Sequence, residues 1–136
     1  INSLKTLTED QTEDEKFIAI VEAIDMIYED IKNTFKNNYV GKYKNNLDNQ
    51  MLFISAINTY FRTLADSDVL DNNYDNVVNI NVDAQRQAWI DSGKAEASAW
   101  DDTTVKNNTF RTNLYLSGNI KILNAIEDLK FDITME

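Results

Sequence analysis

The sequence predicts an α+β domain in which two long amphipathic antiparallel helices, with short extra helices, pack on a small and mainly antiparallel sheet. Three observations carry that expectation. Apolar residues recur at steps of three and four from Phe17 to Phe35, which places them on one helical stripe. A second run of the same period spans Leu47 to Leu64. Beyond Asn76 the period changes to two, at Val78, Ile80 and Val82 and again at Phe131, Ile133 and Met135. A length of 136 residues suits one domain over 1–136, and 43% hydrophobic residues can fill its core.

In chain order, Ile1, Leu4 and Leu7 alternate loosely with polar residues, so a first strand is expected there. Thr12 and Glu15 stand at capping-box spacing, where hydroxyl and carboxylate each satisfy a backbone N–H of a first helical turn. The helix that follows should turn Phe17, Ile20, Val21, Ile24, Ile27, Tyr28, Ile31 and Phe35 inward. Glu13, Asp14 and Glu15 at its start and Lys32 and Lys36 at its end complement the helix dipole. Asn37, Asn38 and Gly41 tolerate a left-handed exit.

Asn45 or Asn46 can cap a second helix that carries Leu47, Met51, Ile54, Ile57, Tyr60, Phe61 and Leu64 inward. The short connection makes the two helices an antiparallel pair. Residues from Asp66 to Asn76 read as a polar loop, and Val78, Ile80 and Val82 as a strand with one buried face. Asp83 is the expected cap of a short helix through Ile90, closed by Gly93. Lys94 to Asn108 reads as a loop around Trp100 with one helical turn after Asp101 or Asp102. Leu114, Leu116, Ile120 and Ile122 mark a long strand within Arg111 to Ile122, with a bulge or bend expected at Gly118. Asn124 to Leu129 suits a turn of helix before the final strand.

Formal charge is −10, with 23 acidic against 13 basic residues, so nucleic-acid phosphates and anionic lipid are repelled. Solubility is the simpler reading of this acidity; attraction of a basic partner is the other. The absence of cysteine removes disulfides, thiolate nucleophiles and sulfur-ligated metals, and the absence of histidine removes the usual proton carrier near neutral pH. An enzyme built from this chain would run on carboxylates, Lys, Tyr or Ser. The longest apolar run, Phe17 to Val21, falls far short of the roughly 18 residues of a membrane span, and no signal peptide is expected. The chain opens at Ile1 without an initiator methionine and is expected to be a piece of something longer. Eighteen asparagines are read as codon bias.

Asp71, Asn73, Asp75 and Asn76 match the opening of a calcium loop, but Val82 stands where a bidentate glutamate is needed. A solvated turn is the simpler reading, with a calcium-binding surface module as an alternative. Glu9 with Asp10, Glu29 with Asp30, and Glu127 with Asp128 are the carboxylate pairs a hydrolase would need. Helical neighbours in sequence do not face each other, which favours solvent-facing charge. Gly41 and Gly118 belong to no phosphate-binding pattern, and no cofactor is implied.

Lys36, Lys42 and Lys44, one turn after Lys32 and interleaved with Tyr39 and Tyr43, form a basic loop that can meet an acidic partner surface. The plainer reading is a helix end complementing its dipole. Trp89 and Trp100 read as packing anchors. The terminal strand, Phe131, Asp132, Ile133, Thr134 and Met135, can pair at home or lend its backbone to a neighbour, and composition leaves both open.

The string Ala23-Ile24-Asp25-Met26-Ile27-Tyr28-Glu29-Asp30-Ile31, continued by Asn33-Thr34-Phe35-Lys36-Asn37-Asn38-Tyr39-Val40-Gly41-Lys42 and Asn45-Asn46, resembles the C-terminal domain of contractile tail sheath proteins. It is most similar to the sheaths of prophage-derived particles and R-type bacteriocins of Gram-positive bacteria. Ile1-Asn2-Ser3-Leu4, Val69-Leu70-Asp71-Asn72 and Ala125-Ile126-Glu127-Asp128-Leu129 agree in order. The resemblance implies a non-enzymatic subunit that polymerises helically with copies of itself around an inner tail tube. It also implies that contraction of the sleeve drives the tube through a target envelope. Assembly is then expected in the bacterial cytoplasm, as part of a phage tail or a released bacteriocin particle. Phe131 to Met135 would be a donated or sheet-completing strand, and the basic loop or the short helix around Arg86 would face the tube. The family's other linking arm lies at the N-terminus of the whole protein, outside this chain, which leaves the piece free to remain monomeric.

Overall fold

The computed structural model describes residues 13–123 and 129–135. The expected strand at Ile1 to Leu7, the Thr12 cap, Glu9 with Asp10, the turn over 124–128 and Glu127 with Asp128 all lie outside the described residues. Helix α1 (Glu13–Asn38) has 26 residues and α2 (Leu47–Asp66) has 20. Their antiparallel pairing shows in the contacts between Phe35 and Phe53, whose ring centroids are 5.2 Å apart, and between Tyr60 and Asp30. Gly41 makes the left-handed exit between them at φ 76°.

The inward stripe of α1 holds from Ile20, which packs partly buried against the core, but not at Phe17. Ile27 and Ile31 are buried, whereas Phe17 is 66% exposed. Because α1 outruns its shorter partner by about two turns, or roughly 9 Å, the residues at its start have no described helix opposite them. Tyr28 stays at the stripe's margin, with the Lys32 ammonium 5.3 Å from its ring centroid.

Of the two asparagines that could cap α2, Asn46 does so, its side chain accepting from the Asn49 N–H at 2.9 Å. Its buried arc is Gln50, Phe53, Ile54, Ile57, Phe61, Leu64 and Ala65. Phe53 therefore replaces Met51, which is exposed, as an inward residue; Met51 lies about 100° around the helix from Gln50, beyond the arc that touches α1 and the sheet. The loop after α2 is less solvated than its polarity implies. Leu70 is fully buried and bridges Ile122, so the chain between Val69 and Asp71 runs antiparallel to 121–123.

The described sheet has the order β1-β2-β3, antiparallel throughout, with β1 at Val77–Ile80, β2 at Leu114–Ile120 and β3 at Leu129–Met135. Val78, Ile80, Leu116, Ile120, Ile133 and Met135 bury one face against the two helices. Val82 does not extend β1. It opens α3 (Val82–Asp91), and Asn81, not Asp83, is the cap, accepting from the Ala84 N–H at 3.0 Å. Asp83 sits inside the first turn, too late to cap it, and pairs with Arg86 at 3.3 Å. Gly93 ends this helix at φ 108°.

Gly118 makes no bulge. The register is continuous on both sides, and glycine is needed because a Cβ there would meet the Val77 carbonyl oxygen and stand 2.9 Å from the Val78 Cα. Leu129 opens β3 instead of ending a helical turn.

A second, smaller core lies beneath α3, a 3-10 helix at Ala95–Ala99 and α4 (Asp102–Asn107), the last capped by Asp101. Trp89 packs edge-on against Phe110 with ring centroids 4.9 Å apart and lies near Trp100. Gln85 is wholly buried and donates to the Val105 and Asn108 carbonyls at 2.6 and 3.1 Å, which ties α3 to α4.

Candidate assembly surfaces

A sheet offers a partner its outward backbone groups, so the phase of the ladder decides which residues matter. The Asn81 N–H donates to the Tyr115 carbonyl at 2.8 Å. In the observed register, odd-numbered residues of β1 and β2 therefore bond to each other, and Leu114, Leu116, Gly118 and Ile120 face β3. On β3 this turns Leu129, Phe131, Ile133 and Met135 toward β2. Lys130, Asp132 and Thr134 direct their backbone groups away from the sheet, where no described strand lies. The candidate strand thus pairs at home along one edge, and along the other it meets no strand among the described residues. Its Ile133 and Met135 side chains are anchored in the core while Asp132 and Thr134 are exposed.

The opposite edge differs. The Val78 N–H donates to Asn58 Oδ1 at 2.9 Å, and Asn58 Nδ2 donates to the Val78 carbonyl at 3.3 Å. The next outward N–H, that of Ile80, donates to Asn79 Oδ1 at 2.8 Å. Nothing in the local sequence pattern marks Asn58 for this task.

The candidate basic residues separate. Lys42 Nζ donates to the Asn37 carbonyl at 2.9 Å, completing the end of α1. Lys36 and Lys44 are exposed and pair with no described carboxylate. Lys44, but not Lys36, borders an open groove of about 450 Å³ floored by Tyr39, Tyr43 and Phe53. Arg111 shares its rim, a neighbour that sequence spacing concealed. Asn45 creates the juxtaposition, because its Nδ2 donates to the Arg111 and Asn113 carbonyls at 2.9 and 3.0 Å and holds Arg111 at φ 52°. Arg86, the other candidate, is committed internally: it donates to the Trp100 carbonyl at 2.9 Å and pairs with Asp83 and Asp102.

The alternatives gain little. The Asp71 carboxylate accepts from the Asn73 N–H at 2.8 Å and pairs with Lys121 at 3.4 Å, as in an ordinary Asx turn fastened to the sheet. No group of three metal-ligating side chains gathers among the described residues. Glu29 reaches Lys32 at 3.9 Å, and Asp30 accepts from the Tyr60 hydroxyl, so this carboxylate pair diverges. Burial, and then Asp30, push the Tyr60 phenol well above its ordinary range. Among the described residues no helix is long and apolar enough to cross a membrane.

The tail sheath protein of Clostridium phage phiCD119 is 32% identical to this chain over 135 residues, which covers 99% of this chain and 37% of that protein. The chain therefore spans little more than a third of the length of this curated relative. A family model described as the phage tail sheath C-terminal domain matches residues 10–136, a span that takes in the two long helices, the smaller lobe and the three described strands. This chain belongs to the phage tail sheath C-terminal domain family.

Proposed function

We propose that residues 1–136 form one domain, the C-terminal domain of a contractile tail sheath subunit that has no catalytic role. In this reading the whole protein polymerises helically around an inner tail tube and is assembled in the bacterial cytoplasm, as part of a phage tail or bacteriocin particle. Its contraction drives the tube through a target envelope. Phe131, Asp132, Ile133, Thr134 and Met135 form the linking strand, and Lys36 and Lys44 face a partner.

The observation that carries the reading is the outer row of β3 at Lys130, Asp132 and Thr134, which no described strand engages, on a strand whose other row and core side chains are already engaged. Such a strand holds a neighbour by main-chain hydrogen bonds while the bodies move past one another. Head-to-tail contacts of that kind propagate as a helix when they do not close. Removing residues 131–136 from the full-length protein should abolish tubular polymers in electron micrographs. Polymers of normal length and number would take β3 out of the mechanism.

A further inference from the structure

We infer that Asn58 seals the β1 edge of the sheet, so that a strand from a second copy can be added at β3 alone. Asn58 projects from α2, the helix packed beside β1, and its amide group meets Val78 from both ends. Oδ1 accepts the N–H at 2.9 Å and Nδ2 approaches the carbonyl at 3.3 Å. A primary amide offers one acceptor and two donors close together, so it reproduces what one residue of an adjacent strand would present. Asn79 occupies the only other outward N–H of this four-residue strand, that of Ile80. An incoming strand at β1 would have to displace both side chains, whereas at β3 it meets three outward residues that no described strand engages. Val77 is 39% exposed on this edge strand, the sort of apolar side chain that favours unwanted pairing where an edge is unprotected.

The inference rests on β3 being the assembly edge, and Asn58 then determines which of two edges is used. A protein with two open edges would add strands on both sides and branch. Asn58 is a positioning residue here, and it makes no contact with the incoming strand.

The test uses amide hydrogen exchange and light scattering on the 136-residue chain. In the wild type the Val78 amide should exchange as slowly as the ladder amides of β2. In Asn58→Ala it should exchange at least about tenfold faster, since the bond that shields it is gone. The variant should also gain a concentration-dependent dimer. Adding Val77→Lys, a charge on the unsealed edge, should return it to the wild-type mass, while Thr134→Pro, which removes an outward N–H of β3, should leave the new dimer intact. A Val78 amide that is unprotected in the wild type overturns the proposal, a measurement that stands even if Asn58→Ala fails to fold. So does an Asn58→Ala chain with unchanged exchange and mass. A dimer lost on Thr134→Pro assigns the association to β3, which overturns the role of Asn58 but leaves the assembly strand standing.

Discussion

Replacing Gly118 with alanine sets one methyl group against the backbone of β1. The Val77 carbonyl oxygen lies in its path, with the Val78 Cα at 2.9 Å and the Val77 carbonyl carbon at 3.2 Å. None of these atoms belongs to a flexible side chain, so relief requires that β1 move away from β2. Overpacking of this kind costs about 1–3 kcal/mol, and each ladder hydrogen bond weakened by the shift adds about 1 kcal/mol. Stiffening of the unfolded chain by alanine returns roughly 0.5–1 kcal/mol. The net loss is about 2–4 kcal/mol, a large share of the roughly 5–15 kcal/mol that holds a domain together. At this chain length it lowers Tm by about 6–12 °C. Urea unfolding followed by circular dichroism measures the loss directly. Gly41→Ala is the control, because Gly41 has φ 76° and nothing within 4 Å, so only the left-handed backbone cost of about 1 kcal/mol applies. A Gly118→Ala loss no larger than that of Gly41→Ala would refute the close-approach reasoning.

Asn81→Ala removes the cap of α3 and should cost about 1 kcal/mol in urea, while Asp83→Ala should cost less than half as much; equal losses would return the cap to Asp83. For Tyr60, the native chain holds the phenolic proton more tightly than the unfolded chain, because burial and the Asp30 carboxylate raise its pKa. The resulting stabilisation is complete below about pH 10 and declines as pH rises from there toward the raised native value. The urea-midpoint gap between wild type and Tyr60→Phe should therefore narrow above about pH 10, and a constant gap would sever Tyr60 from Asp30.

Elements with a local signal were legible in the sequence. The helical stripes, an asparagine cap at Asn45 or Asn46, the helical turn after Asp101 or Asp102, the left-handed Gly41 and Gly93 and the alternation through β3 all depend on residues within a few positions of one another. A stripe states which side chains would be buried given a neighbour, not how far the neighbour extends, and so it points Phe17 inward where the structure exposes it. Side-chain amides that grip distant backbone left no pattern to find. Asn58 meets Val78 from 20 residues away, Asn76 accepts the Lys121 N–H across 45, and Asn45 holds the Arg111 carbonyl across 66. Asparagines attributed to codon bias thus fasten loops and edges throughout the fold. The strand proposed for assembly could be located from its alternation, but which of its residues face away from every described strand required the register of β2.

Both tryptophans, Trp89 and Trp100, belong to the smaller core, and the main core contains none. Intrinsic fluorescence therefore watches the lobe built by α3 and α4, whereas the far-ultraviolet signal comes chiefly from the 26 and 20 residues of α1 and α2. Following both through a single denaturation compares two regions of one molecule without any label. Superimposed curves mean the lobe and the helical pair come apart together, and separated curves mean that one can loosen while the other stays intact.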